Sequence, residues 1–174
     1  MATWSHDHHA DLGEPVEDVP WAYSWQGEDS YKRILVAIDQ NPWSYNAITH
    51  AVTLASNTCA TLMILMVPSY LIIHDAPCGL GPGDTQAKAI ADEGYAMLAW
   101  SATMAERAGV PYNTVMRWGC TVPTILQVAN EAHCDLIVMG APLKPGWLRF
   151  FQPSHAKYVA AHAKQPVLVV KTSA

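Results

Sequence analysis

The sequence lacks a hydrophobic run long enough to cross a membrane. The longest apolar stretch, Leu62 to Ile73, is interrupted by Pro68 and Ser69 and is shorter than the roughly 18 residues that a membrane helix needs. The N-terminus also lacks the basic start and the apolar stretch of a secretory signal. We therefore expect a cytoplasmic protein with no membrane partner.

Paired cysteine spacings are absent as well. The chain contains four cysteines and none of them forms a Cys-x-x-Cys pair, so neither a disulfide framework nor a cysteine metal site is predicted. Most of them flank apolar strand or helix patterns, which favours buried free thiols. A redox role for Cys120, which lies in a loop preceding a helix, is the alternative. The four are Cys59, Cys78, Cys120 and Cys134.

Residues 1–30 contain no lysine or arginine. Seven acidic residues give this segment a formal charge of −7, and since the whole chain carries −5, residues 31–174 are left with +2. A nearly neutral domain offers no broad basic face, so nucleic acid is not an expected partner.

The same 30 residues show no sustained helical or strand period, which predicts an extended or disordered arm. Trp4, Trp21 and Trp25 are unusual in such a segment, because solvated tails seldom carry exposed tryptophans. We expect the stretch "VPWAYSW" to pack on the domain, or else to bind a protein partner. A histidine group in the arm, His6, His8 and His9, is a weak metal candidate, and adventitious binding is the simpler interpretation.

From residue 31 onward, apolar strand patterns alternate with helical ones, which predicts one α/β domain spanning 31–174. Each strand run is short and nearly continuously apolar, as in a parallel sheet covered by helices on both faces. The predicted strands are 33–38, 61–67, 112–118, 135–140 and 166–171, and the third, which alternates more than the others, suits a sheet edge.

Turn and cap residues separate these strands from helices. Asn41 and Pro42 are typical of an N-cap and the first helical position. Asp84 can cap the second helix, Gly109 can end it, and a third helix starts near Thr121. The resulting order is β-α-β-α-β-α-β-α-β.

Ligands of open parallel sheets bind outside the carboxyl ends of the strands. Asp39 follows the first strand, where it can accept a hydrogen bond from a ribose hydroxyl or a base amine, or can simply cap the following turn. Gly140 ends the fourth strand, where a missing side chain allows close backbone approach. Ser154 can donate to a phosphate at the N-terminus of the last helix, or can cap that helix. His155 lies beside it without a carboxylate at fixed spacing, so no catalytic residue is predicted.

At these residues the sequence resembles the universal stress protein family. The stretches that carry the resemblance are "KRILVAIDQNPWSYNAITHAV", "WGCTVPTILQVANEAHCDLIVMGA" and "AKYVAAHAKQPVLVVK", which together span about residues 31–172. The resemblance implies a three-layer α/β sandwich with a five-stranded parallel sheet in the order 3-2-1-4-5. It also implies a homodimer, for which the apolar last strand is suited.

ATP-binding members of that family carry Gly-x2-Gly-x9-Gly-Ser/Thr after the fourth strand. Aligned without gaps, the motif places Gly140 and Ser154 on matching positions, and Leu143 and Pro153 on the positions of two glycines. The resemblance implies further nucleotide contacts, which match Asp39, Val67 and Met139 here.

The departures weaken the phosphate end of such a site. Pro153 has no backbone N–H, which removes one donor outright. Leu143 adds a side chain where glycine is expected. We therefore expect ATP, ADP or AMP to bind weakly or in an altered way.

Three functions follow from these patterns. The first is a homodimeric stress-response or regulatory protein with weak or altered adenine nucleotide binding. The second is an interaction module that binds no nucleotide and acts through its N-terminal arm. An enzyme such as a slow ATPase is the third, and no general base or carboxylate pair supports it.

Overall fold

The computed structural model describes residues 30–68, 84–142 and 155–172. Within these ranges strands and helices alternate along the chain. They are β1 (Arg33–Ile38), α1 (Pro42–Thr58), β2 (Thr61–Met66), α2 (Asp84–Arg107), β3 (Tyr112–Met116), α3 (Thr121–Glu131), β4 (Leu136–Pro142), α4 (His155–His162) and β5 (Val167–Thr172).

The strands form one parallel sheet in the order β3-β2-β1-β4-β5. This confirms the predicted fold class and strand order, including β3 at an edge. The strand ends differ slightly from the prediction. β2 and β3 stop at Met66 and Met116, while β4 continues to Pro142 because β5 still pairs with it there.

The helix boundaries follow the expected cap residues. Asn41 occupies the N-cap of α1 and Pro42 its first turn, although the Asn41 side chain makes no capping hydrogen bond. Gly109 follows the end of α2 with φ of +66°, a left-handed conformation that favours glycine. α3 begins at Thr121, as predicted.

Apolar side chains alternate between the two faces of the sheet and form two core clusters. One cluster joins the sheet to α1 and α2, with Ile34, Val36 and Ile64 fully buried. The other joins it to α3 and α4, with Leu35 and Ile137 fully buried. Because consecutive residues of β1 point to opposite faces, a nearly continuous apolar run such as "RILVAI" can supply both clusters.

The direction of the chain crossovers reverses at β1. The chain moves from β1 to β2 and β3 on one side, and then returns to β4 and β5 on the other. β1 therefore pairs with β2 and with β4, and a crevice is expected between β1 and β4 at their carboxyl ends.

The cysteines differ in part from the expectation of free thiols. Cys59 is free and exposed, and Cys134 is free and buried, with a pKa raised to about 11, mainly by burial. Cys120 is disulfide-bonded, so the expectation is wrong at this residue. The expectation of free thiols depended on the spacing of the cysteines along the chain, which does not show how far apart they lie in the fold.

Among the helices in the described ranges, none combines the length and the apolar character needed to cross a membrane.

A carboxylate joins β1 to β4 at the amino edge of the sheet. One oxygen of Asp135 accepts a hydrogen bond from the Lys32 backbone N–H at 2.7 Å, and the carboxylate also accepts from the Arg33 N–H at 3.2 and 3.3 Å. In return, the Asp135 N–H donates to the Arg33 carbonyl at 2.9 Å.

We expect Asp135→Ala to lower the free energy of unfolding by about 1.5 kcal/mol, because it removes the charged acceptor of two backbone N–H groups. For a chain of this size that corresponds to a fall in Tm of roughly 3–6 °C. The matched control is Asp92→Ala, on the exposed face of α2. Equal Tm values for the two variants in thermal unfolding would contradict the role given to Asp135.

Candidate functional site

The candidate residues of the central strands meet at the carboxyl edge of the sheet. Ile38 pairs with Met66, and Ala37 pairs with Met139. Asp39 and Val67 are the next residues along their strands, and Gly140 is the next along β4. Neighbouring strands lie about 4.8 Å apart, so the sheet brings these positions together at the β1–β4 crevice.

Asp39 is held by the turn that it begins. Its Oδ1 accepts hydrogen bonds from the Asn41 backbone N–H at 3.0 Å and from the Ser44 hydroxyl at 2.6 Å, and its Oδ2 accepts from the Asn41 amide at 2.6 Å. The Asp39 N–H in turn donates to the Ser44 hydroxyl oxygen at 2.9 Å. Asp39 therefore does cap the turn, as one of the two alternatives predicted.

The turn does not exhaust the acceptor capacity of Asp39. A carboxylate offers about four lone-pair positions, and the three hydrogen bonds described here leave about one, on Oδ2. Asp39 is only partly buried. The two predicted roles are thus compatible, since the same carboxylate can hold the turn and accept one further hydrogen bond from a ligand.

Val67 and Met139 are buried at the carboxyl ends of β2 and β4. Their side chains are 4% and 6% exposed and belong to the cluster that faces α3 and α4. With so little side-chain surface available, any contact they make with a ligand depends mainly on their backbone groups.

Gly140 allows α1 to approach β4 closely. A Cβ on this glycine would lie 2.5 Å from the carbonyl oxygen of Trp43 and 2.9 Å from its ring atom Cδ1, which is far inside van der Waals contact. The space next to Gly140 is therefore occupied by the first turn of α1. This packing role was not predicted, because no local pattern relates Trp43 to a residue nearly one hundred positions later.

The remaining site predictions lie at or beyond the limits of the described chain. His155 is exposed and is the first described residue of α4. Within the described ranges, no group of three His, Cys, Asp or Glu side chains could hold a metal ion. Leu143, Pro153, Ser154 and the arm residues His6, His8 and His9 fall outside the described residues.

The described residues at the carboxyl ends of β1, β2 and β4 thus comprise one carboxylate acceptor, two buried apolar side chains and a closely packed glycine. These groups suit the binding of a base or a sugar hydroxyl more than the breaking of a bond.

Comparisons with known proteins agree with this fold. The sequence profile of the universal stress protein family matches residues 30–171. A universal stress protein of Methanocaldococcus jannaschii is 32% identical over 145 residues, which cover 83% of this chain and 85% of that protein.

Solved structures of the same fold include complexes with adenine nucleotides. A universal stress protein in complex with cAMP is 24% identical, with a TM-score of 0.64 over 81% of this chain and 97% of that chain. A universal stress protein from Archaeoglobus fulgidus in complex with dAMP is 21% identical, with a TM-score of 0.59 over 82% of this chain and 99% of that chain.

At these identities the two structures show the fold alone. The family profile and the Methanocaldococcus jannaschii relative match most of the sequence. This chain belongs to the universal stress protein family.

Proposed function

We propose that this protein is a homodimeric stress-response protein whose β1–β4 crevice binds an adenine nucleotide mainly through its base and ribose. The observation that carries the proposal is the remaining acceptor position on Asp39, at the point where the strand order reverses. A base amine or a ribose hydroxyl is the donor that such an acceptor fits.

Two related structures support an adenine ligand with few phosphates. The cAMP and dAMP complexes are both complexes with nucleotides that carry a single phosphate. Both proteins share the fold of this chain, which supports an adenine nucleotide as the class of ligand.

The sequence of the loop after β4 argues against tight triphosphate binding. Whatever conformation the loop adopts, Pro153 has no N–H to offer a phosphate, and a hydrogen bond to a charged group contributes about 1.5–3 kcal/mol. Leu143 adds a side chain where the family motif has glycine. Together these changes weaken triphosphate binding by roughly two to four decades, at about 1.4 kcal/mol per decade.

The proposed location is the cytoplasm. The disulfide at Cys120 bears on this location, because disulfides are rare in the reducing cytosol. A cytoplasmic protein is expected to carry this cysteine as a thiol in the cell and to form the disulfide on oxidation.

A second function is favoured by the engagement of Asp39 in its own turn and by the packing of Trp43 on Gly140. Asp39 and Gly140 thus have structural roles that need no ligand. In this alternative the domain is an interaction module that acts through its N-terminal arm and binds no nucleotide.

Calorimetric titration with AMP and ATP tests the first function. We expect the two affinities to lie within about one decade of each other, since the phosphates beyond the first find few donors. An ATP affinity a hundred-fold or more above that of AMP would contradict the proposal. Absence of binding by both would favour the interaction module.

Asp39→Asn tests the acceptor directly. Asparagine keeps one oxygen for the turn but replaces the second with a donor, so AMP affinity should fall by about 10- to 100-fold. Asp92→Asn, on the exposed face of α2, is the matched control and should leave the affinity unchanged. Unaltered AMP binding by Asp39→Asn would remove this residue from the site.

The proposed dimer forms through β5, which is an edge strand of the sheet. An edge strand presents unpaired backbone groups that a second copy can use. Leu168 on this strand is 40% exposed, an apolar side chain at the place where a partner would cover it.

Leu168→Lys is therefore expected to convert a dimer into a monomer of 19.0 kDa, because the charge would be buried without a partner. Light scattering after size exclusion measures the mass. The control is Thr114→Lys on β3, the opposite edge of the sheet, which should stay dimeric. A monomeric wild type, or a Leu168→Lys dimer, would contradict the β5 interface.

A further inference from the structure

Two exposed aromatic side chains meet between α1 and α2. Tyr45 is 45% exposed and Trp100 is 37% exposed, and their ring centroids lie 4.7 Å apart in an edge-to-face arrangement. We use the name aromatic seam for the exposed residues Tyr45, Thr49 and Thr53 of α1 with Trp100 and Thr103 of α2.

The aromatic seam is uncharged, and the hydroxyls of its threonines are already used as donors. No Asp, Glu, Lys or Arg occurs in the 17 residues of α1. The hydroxyls of Thr49, Thr53 and Thr103 each donate to the backbone carbonyl four residues earlier, at 2.8, 2.9 and 3.0 Å. Because these hydroxyls bond to their own helices, the threonines have mainly methyl groups to offer a partner. An aromatic pair beside such methyl groups is a surface for an apolar ligand.

The N-terminal arm contains one segment with matching chemistry. Residues 19–27, "VPWAYSWQG", carry no charged side chain, while Glu17, Asp18, Glu28 and Asp29 flank them. The uncharged segment can therefore cover an uncharged surface, with its acidic flanks left in solvent.

The spacing of the aromatic residues also matches. Trp21, Tyr23 and Trp25 alternate with small or polar residues, so in an extended chain all three point to the same face, about 6.8 Å apart. Residues four positions apart on a helix are separated by about 6 Å along its axis, which is the spacing of Tyr45, Thr49 and Thr53. The three aromatic side chains of the arm segment can thus lie along α1 over Tyr45, Thr49 and Thr53, one at each position.

The arm joins the domain on the side of the sheet that α1 and α2 cover. Tyr31 packs against the core cluster that α1 and α2 cover, as does Leu54 near the C-terminal end of α1. Trp25 is six residues before Tyr31 and reaches about 20 Å when extended, and Trp21 reaches about 33 Å. Since α1 is about 25 Å long, the segment can span the seam without strain.

We propose that residues 19–27 dock in an extended conformation on the aromatic seam of their own chain. Trp25 lies toward Thr53, near the point where the arm joins the domain, and Trp21 lies toward Tyr45 and Trp100. This docking is independent of nucleotide and of the β5 interface.

Limited proteolysis of the full chain with chymotrypsin tests the docking, because the enzyme cleaves after tryptophan and tyrosine. Tyr45→Ala/Trp100→Ala should raise the cleavage rate after Trp21, Tyr23 and Trp25 by about ten-fold, since cleavage follows the population of the undocked arm. Cleavage after Trp4, outside the docked segment, is the internal reference and should not change. The matched control variant is Tyr158→Ala, at a tyrosine on α4 that is 50% exposed, which should behave as wild type.

The reciprocal experiment leaves the domain unaltered. In Trp21→Ser/Trp25→Ser, hydroxyl-radical oxidation of Trp100 should rise several-fold, as the seam loses its cover. Unchanged Trp100 oxidation together with unchanged cleavage in Tyr45→Ala/Trp100→Ala would overturn the proposal.

Dilution distinguishes the docked arm of the same chain from that of a second copy. Protection that is independent of protein concentration supports docking within one chain. Protection that disappears on dilution overturns it and assigns the seam to the arm of another molecule.

Discussion

Strand β1 pairs on both sides, and the other elements take their places from it. Its hydrogen bonds to β2 and β4 set the register of the central sheet, and its alternating side chains enter both core clusters. At its amino end the Asp135 carboxylate fixes it to β4. At its carboxyl end it delivers Asp39 to the crevice, so the position of the candidate site is a consequence of this strand.

In the proposed adenine site, residues that stabilise the fold are also the ones assigned to binding. Asp39 holds the turn into α1 through Asn41 and Ser44, which fixes its carboxylate before any ligand arrives. Such preorganisation reduces the entropy that a ligand must overcome on binding. Gly140 lets α1 pack closely on β4, because it has no side chain.

The sequence predicted the elements well because their signals are local. "RILVAI" is apolar enough to fill two core faces, and Gly109 follows α2 in a left-handed conformation that favours glycine. The strand order came from the resemblance to the family and was confirmed by the structure. Features that depend on contacts between distant segments were missed, namely the packing of Trp43 on Gly140 and the disulfide at Cys120. Asp39 had two predicted roles, and the coordinates confirm the one in the turn, while its contact with a ligand stays a prediction.

The proposed adenine site lies between β1 and β4, and nuclear magnetic resonance of the full chain during titration with AMP tests it most directly. We predict that the backbone signals of Asp39, Asn41, Val67 and Gly140 shift together in proportion to the bound fraction. Signals that shift only elsewhere, for example along the exposed faces of α1 and α2, or an absence of shifts at every AMP concentration, would contradict it.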